Sequence, residues 1–219
     1  MPECVDPGMS PSASARPREW WVVRLLQLAI VGITLAGIAT RNVAVLVNGV
    51  LALGVTLLPG VLERDYSVAL SPLLTLWITT AVFLHALGML GLYESVPWWD
   101  HLTHTLSATI VAGVGYATAR AFDEHSDAVS FPGRFMFVYV LLFTLAFGVV
   151  WEVLEFVARG IAHAIGADPV LVQYGLEDTI VDLVFDAAGA VLVSLFGTRP
   201  LSKSVDALVA RLEGDQSSE

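Results

Sequence analysis

WWDHLTHTLSATIVAGVGYATA, residues 98–119, decides how the rest of the chain is read. It opens with Trp98 and Trp99, a residue type enriched at the membrane–water boundary of spanning helices. Asp100, His101 and His104 follow. The run of Ala, Val, Gly and Thr behind them is apolar enough to enter a bilayer. A carboxylate at such depth is costly, and it normally faces the interior of a helix bundle or a water-filled cavity. The stretch therefore predicts a spanning helix whose first turns carry chemistry.

The composition agrees with a membrane setting. The chain has 219 residues, of which 56% are hydrophobic and 15% charged, against about 25% charged in soluble domains. Its mean hydropathy is +0.72. Apolar runs near the 20 residues needed to cross about 30 Å of hydrocarbon occur at 20–40, 43–62, 69–92, 101–121, 134–158 and 178–197. Backbone polar groups in lipid must be satisfied within each segment, so these runs are read as helices. The fold expected is all-α, a polytopic membrane protein of six transmembrane helices in a bundle. Residues 1–19 are rich in Pro, Ser and Ala and lack an apolar core. They read as a disordered cytoplasmic tail and not as a signal peptide. Residues 20–199 form the membrane domain. Residues 200–219 form a second cytoplasmic tail, in which VDALVARLEG has the spacing of a short amphipathic helix. Loops are expected where Pro, Gly or charge interrupts, among them Gly160 to Gly175.

The cations set an orientation. With the N-terminus inside, inner segments hold Arg16, Arg18, Arg64, Arg120, Arg134, Arg199, Lys203 and Arg211, eight in all, and outer loops hold Arg41 and Arg159. This bias predicts a plasma-membrane protein with both termini cytoplasmic. The net charge of −10 and the single lysine would suit a high-salt cytoplasm, and no basic patch offers a site for nucleic acid. The lipid bilayer is the one partner indicated; protein partners are not. Cys4 is the only cysteine, which excludes an internal disulfide and cysteine-based metal motifs.

In this topology three motifs meet near the outer face. The fourth span brings Asp100, His101 and His104. The fifth brings Glu152 and Glu155 of WEVLEF, one or two turns from its end. The sixth brings Glu177, Asp178, Asp182 and Asp186 of EDTIVDLVFDAAGA. Residues three or four apart share a helix face, so Asp100 pairs with His104, Glu152 with Glu155, and the three aspartates form a stripe about 12 Å long. Anions this dense cannot all ionise unpaired. Either several hold protons or a cation sits among them. With His101 and His104, and His85 of the third span, they form an oxygen-and-nitrogen donor set. That set suits a divalent metal ion: Zn, Mn or Fe, with Mg or Ca if carboxylates alone bind.

Simpler readings stand beside this one. Asp100 and Asp178 can cap helix N-termini, His101 can face the interface, His85 can be a packing residue, and the tryptophans can be anchors. Capping does not account for Glu152, Glu155, Asp182 or Asp186, which lie inside helices. The metal set is therefore Asp100, His104, Glu152, Glu155, Asp182 and Asp186, with His101, Asp178, Glu177 and His85 as secondary candidates. Functions open at this point are a metal-dependent membrane enzyme acting on a lipid or extracytoplasmic substrate, a proton or divalent-cation transporter or sensor, and a structural subunit of a membrane complex. No catalytic nucleophile is evident.

PWWDHLTHTLSA, VWEVLEF and EDTIVDLVFDAAGA resemble three blocks of the YjdF-like family of bacterial and archaeal inner-membrane proteins. Those blocks read Asp-x-x-x-His, Glu-x-x-Glu, and paired aspartates before a run of small residues. The matching positions are Asp100 with His104, Glu152 with Glu155, and Asp182 with Asp186, and the resemblance covers mainly residues 96–195. It implies a multi-pass membrane fold and a shared site, without implying a reaction.

Overall fold

The computed structural model describes residues 18–66, 68, 70–126, 130–171, 173–196, 201–202 and 205–210. Most of the expected N-terminal tail lies outside them, as do Cys4, Arg199, Lys203 and Arg211. Every regular element among the described residues is helical: α1 (Arg18–Thr40), α2 (Val43–Tyr66), α3 (Pro72–Leu87), a π segment (Gly88–Leu92), the single turn α4 (Tyr93–Ser95), α5 (Trp99–His125), α6 (Gly133–Ile165) and α7 (Leu176–Phe196). The chain is a polytopic helical bundle, as its hydropathy predicts.

Local sequence sets the helix ends. Asn42 accepts the backbone N–H of Val45 at the start of α2. Ser71 does the same for Leu74 at the start of α3, where Pro72 follows it. Both satisfy N–H groups that have no partner in the helix. Gly166, at φ 70, closes α6 in the left-handed conformation that favours glycine after a helix. α6 consequently runs through Gly160 to Ile165, and the expected Gly160–Gly175 loop shortens to residues 166–175. Glu155 then lies ten residues, about 15 Å, from the end of its helix and not one or two turns. The third span is also not one continuous α-helix from 69 to 92. It starts at Pro72 and passes through the π segment, inside which Gly91 has φ 108.

Five helical stretches are long and apolar enough to cross a membrane: α1, α2, the continuous stretch Pro72–Ser95, α6 and α7. The sixth long helix, α5, has 27 residues and spans about 40 Å, but its polar opening lowers its hydropathy. It packs most extensively against α7. Small residues make that close approach possible: a Cβ on Gly189 would lie 2.7 Å from both the Ala108 Cβ and the Thr105 carbonyl.

The helices form two groups. α1, α2 and α3 pack on one another, and so do α5, α6 and α7, with α3 against α5 as the main joint. The first group closes over Ile30, Ile33, Val45, Ala52 and Ala86. The second closes over Ala112, Met136, Val140, Ala190 and Val193, joined by Leu201 from beyond α7. Residues 201–202 and 205–210 are helical, with Leu201 and Val205 buried, so the described part of the C-terminal segment rests on the bundle. Trp77 donates its ring N–H to Thr109 and Trp99 donates to the Leu84 carbonyl. These bonds stitch the joint between α3 and α5.

Candidate functional site

The buried stripe of α6 is Met136, Val140, Thr144, Gly148, Glu152 and Glu155. Its spacing of four, then three, is that of one helix face, and the carboxylates simply continue it. On α7 the same logic buries Asp182, Asp186, Gly189 and Val193. The acids therefore point into the bundle because they occupy the positions that in an ordinary span would be filled by packing residues.

His104 stands at the centre. Its Nε2 is 3.7 Å from Asp100 Oδ1 and 3.9 Å from Asp182 Oδ2. Its Nδ1 is 3.4 Å from Asp186 Oδ1. One donor atom each from Asp100, His104 and Asp182 lies within 4.8 Å of the others. Donors in tetrahedral coordination at about 2.1 Å from a zinc-sized ion lie about 3.4 Å apart, so these side chains would have to draw in around an ion to hold it. Asp186 lies on the other side of the imidazole. A carboxylate there fixes the ring's tautomer and direction, as partners of ligating histidines commonly do. Asp186 itself fits against α6 only because position 148 is glycine; a Cβ there would collide with Asp186 Oδ2.

Glu152 and Glu155 are both buried but are held differently. Glu152 Oε2 accepts from the Thr179 hydroxyl at 2.6 Å and from the Gln173 amide at 3.4 Å. Glu155 Oε1 accepts from the Trp151 ring N–H at 2.9 Å. Two carboxylate oxygens, Asp182 Oδ1 and Glu152 Oε1, are buried without a hydrogen-bond partner among the described residues. Leaving such atoms bare is costly. No arginine relieves them: the ion pairs made by arginines among the described residues go to Asp65, Asp123 and Glu124. Arg159 donates instead to the Gln173 carbonyl.

The secondary candidates are placed apart. His101 stacks on Phe185, with ring centroids 4.4 Å apart and an interplanar angle of 7°. Asp178 accepts the backbone N–H of Tyr174 and so ties down the loop before α7. Glu177 is exposed. His85 has both ring nitrogens engaged: Nε2 faces Asn48 Oδ1 at 3.1 Å, and Nδ1 faces the Tyr93 hydroxyl at 2.8 Å. The Asn48 amide nitrogen already donates to the Ala44 and Val170 carbonyls, so its oxygen accepts and the hydrogen between the two residues belongs to His85. In neutral His85, Nδ1 then accepts from Tyr93.

Several residues of this site carry no sequence signal as strong as the acids do. Tyr93 is eight residues beyond His85, which is off-face on a regular α-helix. The break in helical geometry at Gly91 (φ 108) lies between the two residues, and the Tyr93 hydroxyl sits 2.8 Å from His85 Nδ1. Gln173 comes from a loop. Thr179 is one hydroxyl among many in the apolar spans. The cue for Gly148 was a glycine four residues before Glu152 on the same face.

A cavity of about 460 Å³ opens beside the cluster. Its walls include Asn48, His85, Tyr93, Asp100, His104, Glu155, Tyr174 and Asp186 at one end, and Leu51, Val55, Val82, Val111 and Phe147 towards the other. Tyr174, in the loop before α7, reports the potential at the polar end: burial raises its phenol above the ordinary value, and Glu94, Asp100 and Asp178 raise it further.

Fold and site together define a multi-pass helical membrane protein with a buried carboxylate–imidazole cluster on one wall of an internal cavity. The chain belongs to the family described as predicted membrane protein (DUF2238), whose model matches residues 21–203. This agrees with the resemblance of its three motifs to the YjdF-like membrane proteins. It is also 30% identical over 117 residues to an uncharacterised protein of Thermotoga maritima, a match covering 52% of this chain and 56% of that protein. The chain thus spans little more than half the length of that relative. No solved structure matches it.

Proposed function

We propose that the cluster is a divalent-cation centre of a membrane enzyme acting on a lipid or extracytoplasmic substrate. The observation that carries this reading is the meeting of Asp100, His104 and Asp182 within 4.8 Å, with Asp182 Oδ1 buried and unpartnered. In this reading Asp100 Oδ1, His104 Nε2 and Asp182 supply the donors, with Zn, Mn, Fe or Mg as the ion. Asp186 holds the His104 ring, and Glu152 stands by with its bare Oε1. Such an ion would polarise an ester or phosphoryl oxygen, or lower the pKa of a bound water to make a nucleophile. Glu155, the α6 carboxylate on the cavity wall, is the group that would accept the proton. A cation path across the bilayer has less support, because the cavity becomes apolar away from the cluster.

Elemental analysis of detergent-purified protein should find a bound divalent ion. Asp182→Ala or His104→Ala should lower its affinity by more than about 100-fold, beyond the roughly 10- to 100-fold that loss of an outer-shell partner commonly costs. His101→Ala should leave it nearly unchanged. Combined ligand substitutions should be non-additive. Protein that retains and rebinds no ion, with a melting temperature unmoved by chelators, would sink the proposal.

The cation bias of the loops supports a placement of the cluster towards the outer face of the plasma membrane, with both termini inside. A cysteine placed at Ser95 should then react with an impermeant reagent from outside, and one at Ser126 only from inside. The reverse pattern would refute this orientation.

A further inference from the structure

We infer that the cavity holds the hydrocarbon chain of a membrane lipid that enters sideways between α2 and α6, with an oxygen-bearing headgroup at the end lined by Asp100 and His104. The headgroup part rests on the cation-centre reading; the placement of the chain rests on the cavity alone.

The cavity is graded in the same sense on four of the helices that wall it, α2, α3, α5 and α6. On α2, Asn48 gives way to Leu51 and Val55; on α3, His85 gives way to Val82 and Ala81. On α5, Asp100 and His104 give way to Ala108 and Val111; on α6, Glu155 gives way to Phe147 and Thr144. The Thr144 hydroxyl is already committed to the Val140 carbonyl, so it adds little polarity to the deep end. The eleven residue steps from Asp100 to Val111, and the eleven from Glu155 to Thr144, each measure about 16 Å along a helix axis. That is close to half of the roughly 30 Å hydrocarbon core, the depth of one leaflet. Water gains little in an apolar space of this kind, and a soluble substrate would leave the deep end unused. An acyl or isoprenoid chain fills it.

The way in is lateral. α2 and α6 both line the cavity but do not form one of its packed helix pairs. Leu51 on α2 and Phe147 on α6 line it while remaining 59% and 52% exposed, so this side faces the surrounding lipid. At the polar end no arginine or lysine is among the described lining residues. The hold on an ester or phosphoryl oxygen would come from a cation kept by the acids and imidazole, whose coordination that oxygen can complete.

The test uses the purified full chain in phosphatidylcholine nanodiscs doped with phosphatidic acid or diacylglycerol carrying a diazirine in mid-chain. Photolabelling should mark Val55, Val82 and Val111. Val111→Trp or Val55→Trp should cut that labelling about tenfold while labelling of the lipid-facing Leu28 and Val150 persists, and retained metal content and melting temperature confirm that these variants fold. Chelation should lower cavity labelling several-fold. Preference for phosphatidic acid identifies a phosphoryl oxygen on the cation, and equal labelling by both lipids identifies an ester oxygen. Labels confined to outward faces overturn the inference, and do so without touching the cation centre if metal is still bound. Cavity labelling that ignores chelation overturns the placement of the headgroup, and metal content then judges the cation centre on its own.

Discussion

The two helix groups solve the same problem with different residues. α1, α2 and α3 bury an aliphatic core around Ile30 and Ile33, and their buried threonines return their hydroxyls to their own helix, as Thr34 does to the Ile30 carbonyl. α5, α6 and α7 bury Glu152, Glu155, Asp182 and Asp186 at equivalent inward positions. Side-chain volume alone does not demand acids there, since the first group closes without them. The difference teaches that the second group accepts a large electrostatic cost, and such a cost in a membrane ordinarily marks function. The first group is not a bystander: its Asn48 and His85 reach across to Tyr93 and the 166–175 loop, completing the polar wall.

Three substitutions put this contrast under strain. Gly148→Ala should have the largest effect. Its methyl displaces Asp186, so His104 loses its orienting partner. Cation affinity should fall about 10- to 100-fold, and stability by roughly 1–3 kcal/mol from overpacking, as read by titration and by thermal melting. Unchanged cation affinity would break the assignment of Asp186 to the second rank. Ile30→Ala should cost stability only. Core truncations of this type cost about 2–5 kcal/mol in soluble proteins. Lipid competes equally well for apolar side chains, so roughly 2 kcal/mol is expected, with cation binding intact. Tyr93→Phe should have the smallest effect, about 1 kcal/mol for the lost hydroxyl. If it costs more than Ile30→Ala, the joint between the groups, not either core, dominates stability.

Much of this was legible in the sequence. The six apolar runs all became helical, five of them in stretches long and apolar enough to cross a membrane, because length and hydropathy govern what lipid permits. The acids were legible because a carboxylate inside an apolar run has few structural excuses. Less legible was the length of α6: Arg159 and Gly160 looked like a loop, but a single glycine costs a helix only about 1 kcal/mol, and ARGIAHAI continues the helix to Gly166. The individual placements within the site were least legible. Spacing put Asp182 and Asp186 on one face of α7, yet only the position of His104 between them separates a donor beside Nε2 from a partner behind Nδ1. Tyr93 depended on the π segment, which apolar periodicity does not reveal.

The polar opening of α5 bears on how the chain is made. Among the described long helices, α5 is the one whose composition does not by itself carry it across a membrane, and its main packing partner, α7, is translated some fifty residues later. During synthesis, α5 should therefore wait near the translocation machinery until α7 arrives to shelter Asp100 and His104. A nascent chain halted at Gly175 should then leave α5 accessible to aqueous labelling reagents, and one extended past Phe196 should hide it. Membrane insertion of this half would be an act of assembly, in which the acidic cluster and its helices enter the bilayer together.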